Sequence, residues 1–192
     1  MQNGGGFAKC DDGKLYQYDY LLSRATPFQN RHASSTREDL EFIIKELRRL
    51  KDPLASHLEN FVTSIGTQKS GNLYQWFERT PMVLQYLPDL DENLPPNCHK
   101  RFQAAGHYSI NDQQPYVSYT FDPALIKKVE NQVGDPLQIS YLWIHEWLWN
   151  FFDWRDLQTS ADFNHLLHSK QLETLSPEDY KLLRPDPRSD LE

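Results

Sequence analysis

The sequence predicts an α+β fold, mostly helical, in which two small β-hairpins pack on a helix bundle around a buried central helix at residues 136–152. Three observations lead to this prediction. Apolar residues recur at helical spacing in several segments. Turn-forming residues separate short runs that are rich in strand-forming residues. The run 137–152 is apolar nearly all round, which is typical of a helix buried inside a domain.

Capping residues mark where the helices begin. Ser35 and Glu38 have the spacing of a capping box. Asp-Pro pairs, which place an N-cap before a proline at the first helical position, occur at 52, 122 and 135, and Ser-Pro occurs at 176. The first two helices, with apolar stripes over 40–50 and 54–65, are expected to form an antiparallel hairpin. A later amphipathic stretch around Phe163 carries His165 and His168, which we expect to be exposed.

The strands are predicted in two places. Asp12-Gly13 separates 6–10 from 15–18 and indicates a first hairpin, whose second arm is alternatively the start of a helix. The turn 111–115 separates 98–105 from 116–121 and indicates a second. Residues 3–6 read as a flexible lead-in. We expect one globular domain over 3–183 and a flexible tail over 184–192 that ends in vector-derived residues.

The charge and the apolar runs of the sequence disfavour two kinds of partner, nucleic acid and the interior of a membrane. A formal net charge of -7 disfavours nucleic acid. The one basic cluster, at 45–51, lies on a predicted helix and is interpreted as a solvated face. The longest apolar run is too short and too polar to span a bilayer, so no transmembrane segment is predicted.

The central helix carries the residues that are candidates for catalysis. His145 and Glu146 lie in its middle, where an ionised carboxylate must be paired, protonated or bound to a metal. They therefore have specific partners or face a wet cleft. In the catalytic interpretation, Glu146 is a general base and His145 a metal ligand or an acid–base partner. In the structural interpretation, the two side chains are hydrogen-bonded inside the core.

Further polar residues are candidates for the same site. Asp153 shares a broad helix face with the pair, and His107 and His165 are spare imidazoles that could bind there. A divalent metal such as zinc is conceivable, although its identity is unknown. Zinc peptidases use His-Glu-x-x-His, and here the second histidine position is occupied by Trp149, so that motif is incomplete.

Several pieces of the chain occur in an order that resembles a known group. The pieces are a glycine-rich start leading to a cysteine, a Leu-Pro-x-Asn-Cys segment before a Gln-Ala strand, a His-Glu helix, and a later serine: Asn3-Gly4-Gly5 with Cys10, Leu94-Pro95-Pro96-Asn97-Cys98 with Gln103-Ala104, His145-Glu146, and Ser160. This order resembles a group of uncharacterised exported proteins of delta-type and predatory bacteria.

The resemblance has implications for the cysteines and for location. Taken alone, Cys10 and Cys98 are either a disulfide or two buried thiols of a cytosolic protein. The resemblance implies that they are bonded, and that the chain is periplasmic or secreted after removal of a signal peptide. It implies no reaction.

Two functions follow as hypotheses. The first is a cell-envelope hydrolase that uses Glu146 and His145. The alternative is a non-catalytic envelope protein whose aromatic surface binds a partner or a glycan, with the His-Glu pair structural. Trp143, Trp147, Trp149 and Trp154 would serve either function, or the core.

Overall fold

The predicted central helix is present and lies inside the molecule. In the computed structural model it runs over Leu137–Phe151, and Leu142, Ile144 and Leu148 in it are wholly buried. The structure describes residues 5–23, 28–64, 74–78, 94–103, 105–109, 117–133, 135–151 and 157–186, with the backbone alone at 23, 64, 74–78, 100–103, 105–109, 117–120, 133, 150–151 and 157–158. The seven helices in these ranges are α1 (Tyr18–Ser23), α2 (Thr36–Arg49), α3 (Ala55–Ser64), α4 (Pro123–Val133), α5 (Leu137–Phe151), α6 (Leu157–His168) and α7 (Pro177–Leu183).

The helices begin where the capping residues predict. At five of the seven starts, all but those of α1 and α6, a side-chain oxygen accepts a hydrogen bond from an amide at or next to the first turn, which satisfies a group that has no partner within the helix. The capping box predicted at Ser35 and Glu38 is only half formed. The Glu38 carboxylate accepts from the amide and hydroxyl of Ser34 instead of from the amide of Ser35. The cap oxygens belong to Ser35, Asp52, Asp122, Asp135 and Ser176.

One apolar core surrounds α5. Helices α2, α4 and α6 pack against it, and α3 packs against α2, which confirms the predicted helical hairpin. Burial of each large aliphatic side chain in such a core contributes roughly 1.5–3 kcal/mol. The buried residues include Leu40, Ile43, Leu47, Leu58, Phe61, Val129, Leu142, Ile144, Leu148, Phe163 and Leu167.

The basic cluster at 45–51 is a solvated face, as predicted. Arg48 pairs with Glu59 across the α2–α3 hairpin. Arg49 donates to the carbonyl oxygens of Leu172 and Leu175 at 2.7 and 2.8 Å, which ties α2 to the segment after α6.

The end of α7 is anchored to Asp52 in the α2–α3 connection, and Arg184, the first residue of the predicted tail, belongs to this anchored part. Tyr180 on α7 donates to Asp52 Oδ2 at 2.6 Å, and Arg184 Nε donates to the same oxygen at 2.9 Å. Residues 187–192 of the predicted tail lie outside the described residues.

The strands form two three-stranded sheets, and the first predicted hairpin is part of one of them. The first hairpin, β1 (Gly6–Cys10) with β2 (Leu15–Gln17), pairs on its other edge with β4 (Cys98–Gln103), in the order β2-β1-β4. The second sheet has the order β3-β6-β5, with β3 (Tyr74–Glu78) parallel to β6 (Val117–Phe121) and β5 (Ala105–Ser109) antiparallel to it.

The second hairpin is therefore shifted from the prediction. We expected 98–105 to pair with 116–121, whereas 98–103 pairs with β1 and it is 105–109 that pairs with β6. Consecutive strands β4 and β5 thus belong to different sheets, and the partner of β4, β1, lies about 90 residues away in sequence, whereas the partner of β5, β6, is its neighbour along the chain.

The disulfide between Cys10 and Cys98 is present. The two cysteines are register partners on β1 and β4, so the bond joins strands that already lie side by side. Both cysteines are buried.

Among the described residues, no helix combines the length and the apolar character needed to cross a membrane. The described chain is thus a mostly helical α+β fold built around α5, as the sequence predicts.

Candidate functional site

His145 is buried in the core and held by residues of two other helices. Its Nδ1 lies 2.8 Å from Asp19 Oδ2, and the two side chains are 5% and 3% exposed. Because a carboxylate oxygen only accepts, Nδ1 carries the proton in this contact. Asn164 Nδ2 donates to the same Asp19 oxygen at 2.8 Å and to the carbonyl of Tyr141 at 3.0 Å. The cluster therefore joins α1, α5 and α6.

Glu146 is enclosed by the N-terminal segment. Its side chain has no solvent exposure, and its Oε1 accepts a hydrogen bond from the backbone amide of Gly5. A Cβ on Gly5 would lie 2.8 Å from this oxygen and 2.5 Å from Leu142 Cδ1. The space beside the carboxylate is thus too small for a methyl group on the Gly5 side.

The flexible lead-in predicted for 3–6 is wrong for its second half. Gly5 and Gly6 are buried, and Gly6 is the first residue of β1. The physical reason is the close approach of the backbone to Leu142 and Glu146, which only a residue without a Cβ permits. Residues 3 and 4 lie outside the described residues.

The tryptophans of α5 belong mostly to the core. Trp143 and Trp147 are buried, and Trp149 is half-buried with its ring centroid 5.9 Å from that of His145. Trp149 therefore packs beside His145 at the position where a zinc peptidase carries its second histidine. In the part of the chain that the structure describes, no three His, Cys, Asp or Glu side chains are grouped so as to hold a metal ion. Trp154 lies outside the described residues.

The other predicted site residues have different surroundings. His165 is buried, contrary to the expectation of exposure, with its ring edge-to-face on Phe28 at 5.7 Å. Burial, with a smaller effect of His168, lowers the pKa of His165 to about 4, so the ring is neutral near pH 7. His107 lies on β5, where the structure describes the backbone alone, and Asp153 lies outside the described residues.

A second buried cluster, around His168, was not predicted. His168 is wholly buried, also contrary to expectation, and its ring stacks on Tyr141 with 3.8 Å between centroids. Its Nδ1 donates to the carbonyl of Asn164 at 2.8 Å, and its Nε2 lies 3.1 Å from Ser140 Oγ. Histidine counts as a polar residue in an amphipathic pattern, so the pattern predicted both histidines on the exposed face. A neutral imidazole nevertheless stacks and forms hydrogen bonds well in a core, and for this reason both are buried.

The cluster ends in an ion pair between Arg31 and Asp39. Asp39 Oδ2 also accepts from the Ser140 hydroxyl and lies 3.2 Å from His168 Nε2. Burial lowers the pKa of His168 to about 3, against the raising effect of its hydrogen bond to Asn164. With its one proton at Nδ1, the neutral ring has only an acceptor at Nε2, so the single Ser140 hydroxyl proton lies between two acceptors, Nε2 and Asp39 Oδ2. The charge of Asp39 is compensated by Arg31.

The pairing of Ser140 with His168 is not a nucleophile and its base. Both side chains are wholly buried, and the Ser140 hydroxyl donates to Asp39. A general base needs room for substrate or water within hydrogen-bond reach. No motif in the sequence marks this cluster, because its members are spread from residue 31 to residue 168.

Neither His145 nor Glu146 lines any of three clefts whose walls consist of described residues. The largest, about 760 Å³, lies along α2 and α3 beside Trp143. One of about 520 Å³ lies between α1, the segment before α2 and the start of α5, and one of about 300 Å³ lies between the first hairpin and α4.

No protein-family model, no curated protein and no solved structure gives a significant match to this chain.

Proposed function

We propose that this chain is an exported, non-catalytic binding protein of the cell envelope, in which the His145–Glu146 pair is structural. The observation that carries the proposal is the enclosure of Glu146. Its carboxylate is wholly buried and accepts from the Gly5 amide, and the Gly5 side has no room even for a methyl group. A catalytic carboxylate needs access to water or substrate, whereas a structural one needs satisfied hydrogen bonds.

The position of the pair supports the same role. Through Gly5, Asp19 and Asn164, the two residues connect the N-terminal segment, α1 and α6 to α5. Removing one partner of a buried polar contact leaves the other unsatisfied, which costs roughly 1–3 kcal/mol. A pair of this kind specifies how the elements assemble.

The disulfide supports the proposal of export. Disulfides persist in oxidising compartments such as the periplasm and are rare in the cytosol. Cys10 and Cys98 are bonded and buried, and no free cysteine is present among the described residues. The acidic balance of the chain, -7, fits a ligand other than nucleic acid.

The test compares binding with turnover. The purified protein is screened on an array of bacterial envelope glycans and, in parallel, against peptide, ester and glycoside substrates. We expect binding to at least one glycan and no turnover. An array without a bound glycan would overturn the proposal.

A matched pair of variants distinguishes the hydrolase hypothesis from a structural role of Glu146. Glu146→Gln alters the buried carboxylate, and Glu130→Gln makes the same change on the exposed face of α4. Turnover that Glu146→Gln abolishes and Glu130→Gln retains, with the unfolding free energy unchanged in both, would establish the hydrolase and contradict our proposal.

A further inference from the structure

A cleft between the first hairpin and α4 carries a lysine on each of its two walls. It holds about 300 Å³, at the lower end of the range of roughly 300–1,000 Å³ that ligand pockets commonly have. Lys9 of β1 lines it on the hairpin side and Lys128 of α4 on the helix side, and both residues are exposed. We refer to it as the Lys9–Lys128 cleft. Its other lining residues are Gly13, Leu15, Asp122, Ala124 and Leu125.

The charges of the two lysines are not used within the described chain. Neither Lys9 nor Lys128 forms an ion pair or a side-chain hydrogen bond with another described residue. The basic face of α2 differs in this respect, because Arg48 there is paired with Glu59. The two ammonium groups of the cleft are therefore available to an anion from solvent.

The acidic group in the cleft offsets only part of this charge. Among the described residues that line it, Asp122 alone is acidic. Asp122 is buried, and its Oδ1 accepts from the amides of Ala124 and Leu125 at 2.9 and 3.0 Å, beside the positive end of the α4 dipole. With Asp122 ionised, the lining carries two positive charges against one negative charge, although the chain as a whole carries -7.

The two aspartates of the nearby hairpin turn are engaged with other residues. Asp11 Oδ1 lies 2.7 Å from His99 Nε2. Asp12 accepts from the Tyr16 hydroxyl at 2.6 Å and from the amide of Lys14 at 3.0 Å. Neither aspartate lines the cleft, so neither takes the place of an anion there.

The register of the first sheet points to an anion independently of the shape of the cleft. In the antiparallel pairing of β1 with β4, Lys100 is the partner of Lys9. Like charges at directly opposite positions destabilise a sheet. An anion bound beside this pair of positions offsets that repulsion.

Two ammonium groups suit an anion that carries more than one charge. A phosphate monoester carries about −1.5 to −2 at pH 7, whereas a carboxylate carries a single charge. Lysine binds phosphate as a compact point charge with rotatable donors. Leu15 and Leu125 are buried in the cleft floor, and an apolar floor strengthens the attraction because it lowers the local dielectric constant.

We propose that the Lys9–Lys128 cleft binds a phosphate monoester group, as carried by a phosphorylated sugar of an envelope glycan. Lys9 and Lys128 contact the phosphate oxygens from the two walls, and the sugar extends toward solvent. This inference rests on the proposed binding function and names its ligand class and its site.

The direct test is an NMR titration of the isotope-labelled protein with glucose-6-phosphate, inorganic phosphate and glucose, at an ionic strength held constant with sodium chloride. We expect both phosphate compounds to shift the amide signals of Gly13, Leu15 and Leu125, and glucose to shift none of them. Unshifted signals with both phosphate compounds would overturn the site. Equal shifts with glucose would overturn the role of the charge.

The same titration distinguishes a sugar phosphate from the free ion. Tighter binding of glucose-6-phosphate than of inorganic phosphate supports a phosphorylated sugar as the ligand. Inorganic phosphate that binds as tightly would overturn the sugar as a part of the ligand.

Surface variants locate the contact without disturbing the core. Lys9→Gln and Lys128→Gln should each weaken glucose-6-phosphate binding about 2- to 5-fold, the range expected for one exposed charge contact. Lys127→Gln is the matched control, because it removes the same charge from the next residue of α4, which is exposed and does not line the cleft. An affinity that Lys128→Gln leaves unchanged, or that Lys127→Gln lowers equally, would overturn the contact.

The outcomes separate this inference from the proposed function. Glycan binding on the array that survives Lys9→Gln and Lys128→Gln combined in one protein would overturn the Lys9–Lys128 cleft and leave the binding function in place. An array without a bound glycan would overturn the binding function even if the cleft binds phosphate.

Discussion

Gly5→Ala tests the contact that encloses Glu146. The added methyl group would lie 2.5 Å from Leu142 Cδ1, 2.8 Å from Glu146 Oε1 and 3.3 Å from His145 Cδ2. Leu142 and Glu146 are wholly buried, so neither can move away without displacing the core. Overpacking a core typically costs ~1–3 kcal/mol, and losing the hydrogen bond to the carboxylate adds ~1.5–3 kcal/mol. We expect a loss of ~2–5 kcal/mol in the unfolding free energy, since the two effects overlap.

The assay is urea unfolding followed by tryptophan fluorescence and by circular dichroism. Gly13→Asn is the matched control. Gly13 lies in the first hairpin turn with φ 78° and open space where a Cβ would lie, so a side chain there meets backbone strain but no clash. This control should lose about 1 kcal/mol or less, because asparagine enters the left-handed region more readily than most residues. A Gly5→Ala protein as stable as the control would refute the close approach of Gly5 to Glu146.

Three further predictions concern the core, the buried histidines and the disulfide. Leu148→Ala should lower the unfolding free energy by ~2–5 kcal/mol in chemical denaturation, and a loss well under 1 kcal/mol would mean that α5 is peripheral. Burial lowers the pKa of folded His168 to about 3, below the unfolded value of ~6.5, so the unfolded state takes up the extra proton and stability falls as pH decreases from ~6.5. His168→Gln should remove about one proton from that pH dependence, and a slope equal to that of the unchanged protein would contradict a neutral buried His168. Reduction of Cys10–Cys98, which are 88 residues apart, should lower stability by ~4–5 kcal/mol in the chain-entropy model, and an unchanged denaturation midpoint would contradict the bond.

The helix starts were predictable because capping chemistry is local. Ser35, Asp52, Asp122 and Ser176 each accept from an amide two or three residues further on, so sequence neighbours contain the whole interaction. The burial of α5 was equally predictable, because its own apolar residues cover nearly every face of the helix.

The partners of the candidate site were not predictable in the same way. His145 contacts Asp19, 126 positions away, and Glu146 contacts Gly5, 141 positions away. No local pattern records such contacts. The need for partners followed from burying polar groups, but their identity depends on how α1 and the N-terminal segment pack.

The assignment of β4 and β5 to different sheets shows the same limit with one exception. Strand propensity placed a strand over 98–105 but could not choose between β1 and β6 as its neighbour. The disulfide implied by the family resemblance placed Cys98 beside Cys10, and that pairing was the available clue to the correct sheet.

The central claim is that Glu146 is structural, and the unfolding free energy of Glu146→Gln tests it most directly. The variant keeps the shape of the side chain and one oxygen that can accept from Gly5, but it removes the negative charge that strengthens this bond and replaces the second acceptor oxygen with an NH₂ donor inside the core. We predict a loss of ~1.5–3 kcal/mol relative to Glu130→Gln, with the ligand affinity of the folded protein unchanged. Unchanged stability together with lost binding or turnover would contradict the account and make Glu146 a functional group.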